Sequence, residues 1–337
     1  MHKRWLCQID VGLCLEATGP LLVKSGAASI VGTDMSPVLT FRNGKPEPYL
    51  PGSSLKGVFR SHIERIARSL KAGSVCIPYL DSGDKVRDVP AGGRPHAFIG
   101  CGHQLHERTQ STADWYRYAC AACRLFGSTK VAGRLSVEDA YAIRDEQGKP
   151  RFLFETRDGV AIDRFTGGAA RGLKFDLEVV AAGSAFETAI RLESFELWQV
   201  AALHLLLDDL ADEVLRVGSG RSRGFGAIKG TVTSFRVAYG SPRERLDGAA
   251  KILAATPGAE KEVASYGLFV PENLPNRPDL PQPSRRGIRY VYDLGPKDWR
   301  THTEPLAPLF AAFIDARSWA TEMDRFVRAN SARSHAS

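Results

Sequence analysis

Residues 196–239 read ELWQVAALHLLLDDLADEVLRVGSGRSRGFGAIKGTVTSFRVAY, and the order of their patterns decides the fold. Leu197, Val200, Ala201, Leu203, Leu207 and Leu210 recur at helical spacing, which predicts a helix over 196–216. A Gly-rich run follows from Gly218 to Gly226, and AIKGTVTSFRVAY then alternates as a strand to Tyr239. Dinucleotide and P-loop folds place their glycines after a strand and before a helix, so that phosphates meet a helix N-terminus. Here the order is helix, glycines, strand, and no GK[ST] follows, which excludes both. What remains is a backbone able to approach a ligand closely, flanked by Arg221 and Arg223. A phosphate cradle and a plain Gly-rich turn both fit.

Upstream, RWLCQIDVGLCLE (4–16) places Trp5, Cys7, Ile9, Val11, Leu13 and Leu15 at period two, a strand. Residues 17–52 are rich in Gly, Pro, Ser and Asp and read as a long irregular loop. SSLKGVFRSHIERIARSLK (53–71) carries Leu55, Val58, Phe59, Ile63, Ile66, Ala67 and Leu70 at helical spacing, with Ser53 or Ser54 placed to cap it. Residues 72–128 show no sustained period, and a strand is expected near 133–143. LKFDLEVVAAGSAFETAIRLE (173–193) reads as a hairpin, with Phe175, Leu177 and Val179 in one arm and Phe186, Ile190 and Leu192 in the other. The chain to residue 239 is thus α+β, ordered strand, helix, strands, helix, strand. That order suits an elaborated ferredoxin-like (RRM-type) fold with long insertions.

After residue 240 the character changes. A short helix is expected within 243–254, and five prolines in 271–283 read as an extended tether. Leu306, Leu309, Phe310, Phe313, Ile314, Met323, Phe326 and Val327 predict one amphipathic docking helix over 305–328. Its seat is either a neighbouring subunit or the flank of the first domain. Two units follow from this reading, 1–240 and 241–337.

The 337 residues carry 45 Lys+Arg against 38 Asp+Glu, are 43% hydrophobic and include six cysteines, an ordinary globular composition. No apolar run is long enough to span a bilayer, and MHKRWLCQID lacks the apolar core of a secretory signal, so a cytoplasmic protein with no membrane partner is expected. Disulfide staples are not expected in such a chain. Cys7 and Cys14 sit in the first strand as fillers, whereas Cys76, Cys101, Cys120 and Cys123 fall close together. CAAC (120–123) lets two thiolates reach one metal, and with Cys76 and Cys101 it completes a tetrahedral set for structural Zn2+. His103 could replace Cys76. Unpaired thiols and a redox pair are the other readings, the latter lacking a thioredoxin-like βαβ unit.

Charge is uneven. Residues 42–71 hold seven Lys/Arg against Glu47 and Glu64, at a helix entrance whose backbone N–H groups suit an anion. Lys56 and Arg60 share a face there, and a solvated basic face is the other reading. Asp34, in AASIVGTDMSPVLTF (27–41), is compatible with a turn residue and with a catalytic carboxylate. ETRDGVAIDRFTGGAARG (155–172) mixes arginines, Phe165 and glycines, as would an arm lying along a polyanion or a plain surface hairpin.

Six segments occur in a telling order: VGTDMSPV (31–38), YLPGSSLKGVFRS (49–61), CAACRLFGS (120–128), RLSVEDA (134–140), AIDRFTGGA (161–169) and GSGRSRGFG (218–226). Over about residues 5–238 the chain resembles the RAMP superfamily, specifically the backbone subunit of type III CRISPR effector complexes. The resemblance implies a ferredoxin-like palm, a zinc-bearing insertion (about 72–128), and a β-hairpin thumb (about 151–172). It implies further RAMP-fold copies and other type III effector subunits stacked along a CRISPR guide RNA. Asp34, with Mg2+ or Mn2+, would cleave complementary target single-stranded RNA. The guide would be held by Ser53, Ser54, Lys56 and Arg60, and by Gly220, Arg221, Arg223 and Gly224. Ile162, Asp163 and Phe165 would lie at the working tip of the thumb. The Met-Ser-Pro run after Asp34 is slightly longer than the usual pattern. Alternatives are a guide-binding subunit whose Asp34 is idle, and a stand-alone zinc-stabilised RNA-binding protein. The stretch 240–337 lies outside the resemblance.

Overall fold

A computed structural model describes residues 4–24, 35–79, 99–106, 109 and 111–331. Its first half contains β1 (Cys7–Ala17), β2 (Leu39–Arg42), β3 (Lys45–Leu50), α1 (Gly52–Leu70), α2 (Cys101–His106), α3 (Thr112–Tyr118) and α4 (Ala121–Phe126). Next come β4 (Leu135–Val137), β5 (Ala140–Ala142), β6 (Phe154–Ile162), β7 (Ala169–Val180), β8 (Ala185–Glu193), α5 (Leu197–Ala211) and β9 (Ile228–Tyr239). The remainder supplies α6 (Ala249–Ala254), α7 (Glu260–Ser265), β10 (Ser284–Arg286), β11 (Arg289–Asp293), α8 (Gly295–Thr303), α9 (Pro308–Ala316) and α10 (Trp319–Ser331). No described helix is long and apolar enough to cross a membrane.

The main sheet runs β10-β11-β9-β1-β8-β5-β3-β2, with β4 also paired to β8, and its ladders are antiparallel. Strand β1 sits near the middle because its alternation is strict. Ile9, Val11, Leu13 and Leu15 are buried toward the helices, while Asp10, Gly12, Cys14 and Glu16 are half-buried on the other face. Val11 pairs with Ile190 of β8 and with Phe235 of β9, joining three core strands in one layer.

Helix α5 is buried on nearly every side, Trp198 through Leu210. A helix apolar all round needs cover on its outer face as well. The C-terminal residues provide it. Phe313 of α9 stacks on Trp198 with ring centroids 4.0 Å apart and planes 4° from parallel, and Trp299 of α8 meets His204 edge-on at 5.5 Å. Glu196 caps α5 and ties it outward, accepting from the Tyr116 hydroxyl at 2.6 Å and from the Phe269 N–H at 2.6 Å. The C-terminal segment therefore docks on its own chain's flank and shares its hydrophobic core.

Several sequence expectations are revised. The loop read over 17–52 contains the β2–β3 hairpin, turned by Asn43 (φ 52°) and Gly44 (φ 75°), an Asn-Gly signal the loop reading passed over. The helix after it has Pro51 at the N-cap position with no side-chain cap, and Ser53 and Ser54 lie inside its first turn; the Gly52 N–H donates to Asp139 Oδ1 at 2.7 Å. The hairpin expected over 173–193 does not form. β7 pairs with β6, and β8 is taken into the sheet beside β1, where its alternate apolar residues find the helix layer. Residues 72–128 include three short helices. The proline-rich stretch is a strap rather than a tether: Arg277 is buried and donates to the Leu246 carbonyl, and Asp279 pairs with Arg245 at 3.0 Å. The single helix over 305–328 is two, broken where Arg317 adopts extended backbone.

Candidate nucleic-acid interface and metal centre

The Gly-rich loop meets two other segments at the C-terminal end of β1. Gly218 (φ +83°) lies where a Cβ would come within 2.3 Å of the Leu22 carbonyl oxygen, and a Cβ at Gly226 (φ +84°) would come within 2.2 Å of the Val217 oxygen. Only glycine combines that φ with that approach. The loop is fastened by Ser219 N–H to the Leu22 oxygen at 2.7 Å and Gly226 N–H to the Pro20 oxygen at 2.8 Å. Between these anchors Arg221 and Arg223 form a short 3-10 turn that is exposed to solvent. Gly220 and Gly224 bound that turn in left-handed backbone.

The base of the β6–β7 ribbon packs against the same place. Leu22, Leu177 and Val179 make a small buried cluster with Met35, Phe175 and Phe225 around it, and the Arg223 guanidinium lies 5.8 Å from the Phe175 ring centroid. Leu21 bridges to Val180, Met35 to Leu177, and Lys24 to Pro37. Asp34 itself lies outside the described residues. Of the residues that flank its segment, Met35 is bridged to Leu177 at the ribbon base and Lys24 to Pro37.

Away from that base the ribbon is exposed. Its tip is ordered by Asp163, whose Oδ1 accepts from the N–H groups of Phe165 and Thr166 at 2.8 Å each, holding the carboxyl below the usual carboxylate range. Asp163 is thus a turn-former, and what the turn presents is apolar: Phe165 fully exposed and Ile162 59% exposed.

At the start of α1, Ser53 is exposed and Ser54 and Lys56 are half-buried. Burial, with the Arg60 charge, pushes the Lys56 amine below its ordinary value, a shift that a bound anion would reverse. Arg60, read from the sequence as a phosphate ligand, turns inward. Its guanidinium donates to Glu64 at 2.8 Å, to the Gly127 carbonyl at 2.7 Å and to Cys123 Sγ at 3.3 Å. Arg68 likewise reaches Glu64 and the Cys76 carbonyl, and Lys71 the Asp315 carbonyl. Much of the basic excess over 42–71 is therefore spent holding neighbouring segments to α1.

Those segments carry the cysteines. Sγ atoms of Cys76, Cys101, Cys120 and Cys123 lie within 4.8 Å of one another, all buried, and His103 is not among this group. Cys76 Sγ is 3.6 Å from Cys123 Sγ and 3.7 Å from Cys120 Sγ. A Zn–S bond of about 2.3 Å gives a tetrahedron with edges of about 3.8 Å, so the cluster fits a single ion such as zinc. The Cys120 and Cys123 N–H groups point at Cys101 and Cys120 sulfurs, as they would toward thiolates. Burial pushes the Cys101 thiol well up, while Cys120, despite its burial, is held well down by hydrogen bonds from Cys101, Cys123 and Cys76. Of the remaining cysteines, Cys7 is a buried filler whose thiol burial pushes up to about 12; Cys14 is half-buried on the opposite face of β1.

That opposite face lacks a stacking platform on its central strands. β1 offers Asp10, Gly12, Cys14 and Glu16, and β8 offers Glu187, Ala189, Arg191 and Glu193, with Asp10 and Arg191 paired at 2.7 Å. An RRM sheet presents aromatics there for bases to stack on. Arg221 and Arg223 of the Gly-rich loop and Ile162 and Phe165 of the ribbon tip are exposed instead.

Over 236 residues the chain is 28% identical to a protein of Methanocaldococcus jannaschii named CRISPR system Cms endoribonuclease Csm3, covering 66% of this chain and 75% of that protein. The model of the RAMP superfamily matches residues 14–229, from within β1 to the start of β9. That span takes in the Gly-rich loop, the ribbon, the entrance of α1 and the cysteine cluster, and the chain belongs to the RAMP superfamily.

Proposed function

We propose that this chain is a guide-RNA-binding backbone subunit of a type III CRISPR effector complex, cleaving complementary single-stranded RNA at Asp34. The observation that carries the reading is the meeting of three sequence-distant segments at the end of β1. They are the Gly218–Gly226 loop, the ribbon base, and the flanks of the segment that holds Asp34. The strand order β9-β1-β8-β4/β5 with α1 and α5 on one face supports a ferredoxin-like palm. The ribbon is then the thumb and the four-cysteine segment its zinc-bearing insertion.

In this reading Ser53, Ser54 and Lys56 contact the guide backbone at the α1 entrance, with Arg60 behind them bracing the insertion. Gly220, Arg221, Arg223 and Gly224 form a second phosphate contact. Phe165 and Ile162 act as a wedge beside a base, and Asp163 shapes the turn that presents them. Sequence is read by guide–target pairing, and the protein reads backbone and shape. Cleavage by a neighbouring 2′-hydroxyl needs its nucleotide splayed to an in-line geometry, with Asp34 accepting the hydroxyl proton. The divalent ion implied by the resemblance, Mg2+ or Mn2+, would supply charge for the departing oxygen. Among the described residues the grouped metal ligands are the four cysteines, which suit zinc rather than Mg2+. Asp34 and the geometry of the RNA carry the proton transfer.

The test is Asp34→Ala in a complex assembled with guide RNA. Target binding persists and cutting is lost. If the variant cuts as well as the parent, the chain is a guide-binding subunit with an idle Asp34.

A further inference from the structure

Outside the family match, the β10–β11 hairpin carries SRRGIRYV (284–291), three arginines and no carboxylate. Gly287 (φ +61°) and Ile288 make its two-residue turn, and Ile288 is 79% exposed. The register sets Arg286 directly opposite Arg289. Like charges facing across a ladder are destabilising, so this pair weakens the hairpin that bears it. Two aromatic faces back the cations: Arg289 lies 5.1 Å from the Trp5 ring centroid and Arg285 5.8 Å from that of Tyr290.

Three nearby arginines are paired with carboxylates. Arg4 pairs with Glu262, Arg236 with Asp293, and Arg245 with Asp279. Among the described residues no carboxylate pairs with Arg285, Arg286 or Arg289. Charged edges guard a sheet against unwanted pairing, yet that purpose asks for neither facing arginines nor an exposed isoleucine between them. The strand registers also give the hairpin a definite place. Ala17 pairs with Ile228 beside the Gly-rich loop, and Cys7 with Tyr239, which in turn pairs with Tyr290. About ten residues of strand separate the two ends, roughly 33 Å.

We propose that the Arg285–Arg289 hairpin is a second RNA-binding site, in which the three guanidinium groups take backbone phosphates and the Trp5 and Tyr290 faces flank them. A polyanion relieves the Arg286–Arg289 repulsion that the folded chain otherwise carries. The proposal rests on the RNA-binding reading above and adds a site at the far end of the sheet, on residues the family match does not include.

The experiment uses the full chain and a mixed-sequence single-stranded RNA of about 20 nucleotides, which at ~3.4 Å per stacked nucleotide spans both ends of the sheet. Affinity is followed by fluorescence anisotropy across a salt series for the parent and for the combined Arg285→Ala, Arg286→Ala and Arg289→Ala variant. The variant should bind about tenfold more weakly, and its plot of log affinity against log salt should be shallower by about 2, at about 0.7 for each phosphate no longer held. Its melting temperature stays level or rises, because the facing charges are gone. A variant with unchanged affinity and slope, beside a parent that binds, overturns the hairpin site alone and leaves the arginines to an acidic protein surface. A parent that binds no RNA overturns this proposal together with the function on which it rests.

Discussion

The cysteine segment and the β6–β7 ribbon are both long departures from the core strands, and they are held in opposite ways. The first is fastened from several directions: four buried sulfurs within 4.8 Å, Arg60 reaching in from α1, and Arg317 reaching in from the C-terminal segment to the Ala119 carbonyl. Among the described residues the second is fastened at its base, and it is exposed over most of its length. Each contains charged or metal-ligating side chains that could serve chemistry. In the first they are consumed by the fold, and in the second they are presented to solvent. Residue type says little about function until one knows which of these fates it has met.

Metal removal should separate the two regions most sharply. A structural zinc site contributes on the order of 10 kcal/mol of folding free energy to the segment it closes. Stripping it with a strong chelator, or replacing Cys120→Ser, should therefore unfold α2, α3 and α4 and leave the ribbon as it was. Hydrogen exchange measures this directly, with elemental analysis giving about one zinc per chain beforehand; less than about half a zinc in fresh, unchelated protein would remove the site. Two phenylalanines make the next contrast. Phe313→Ala empties the stack on Trp198 and should cost about 3–5 kcal/mol in urea unfolding. Phe165→Ala, fully exposed, should change stability by less than about 0.5 kcal/mol. If Phe165 stacks on a base, its loss should weaken RNA binding by about 1–3 kcal/mol. An equal stability cost at both positions would mean that the ribbon tip is packed rather than presented.

The smallest effect is pH dependence at the C-terminal seat. Burial pushes His204 and His302 below the ordinary value of 6.5, against the opposing charge of Asp208 for His204 and Asp298 for His302. Arg300 adds to the lowering at His204, and Glu304 opposes it. Below about 6.5 the unfolded chain binds protons that the folded chain refuses, so stability falls as the pH drops from there toward the depressed folded values. The urea midpoint should decline over that interval, and less steeply in His204→Gln. A midpoint that rises on acidification would reverse the assignment.

Much of the site was legible in the sequence where local chemistry dictates geometry. Glycines that must adopt positive φ, such as Gly218 and Gly226, mark a tight loop in any context, and a Cys-x-x-Cys pair with two more cysteines upstream marks a shared centre. Phe165 could be read as exposed because it stands in a run of Gly, Thr and Arg without apolar period. Arg60 could not be read correctly, since its helical spacing from Lys56 puts both on one face while the insertion folded over that face takes the guanidinium. The Arg286–Arg289 pair was missed for a related reason. In sequence it is part of a modest net charge, and only strand register sets the two side by side.

Local pattern alone determined β1, α1, α5 and β9 in their order, the burial of one face of β1, and the cysteines that belong together. These follow from periodicities and spacings of a few residues. Tertiary structure decided which strand β7 pairs with, where the C-terminal segment docks, and which charges are spent inside. Those choices turn on competition between partners far apart in the chain. Beside β1, the alternate apolar residues of β8 join the layer that the helices cover, and α5 is apolar on the side that α8 and α9 come to cover.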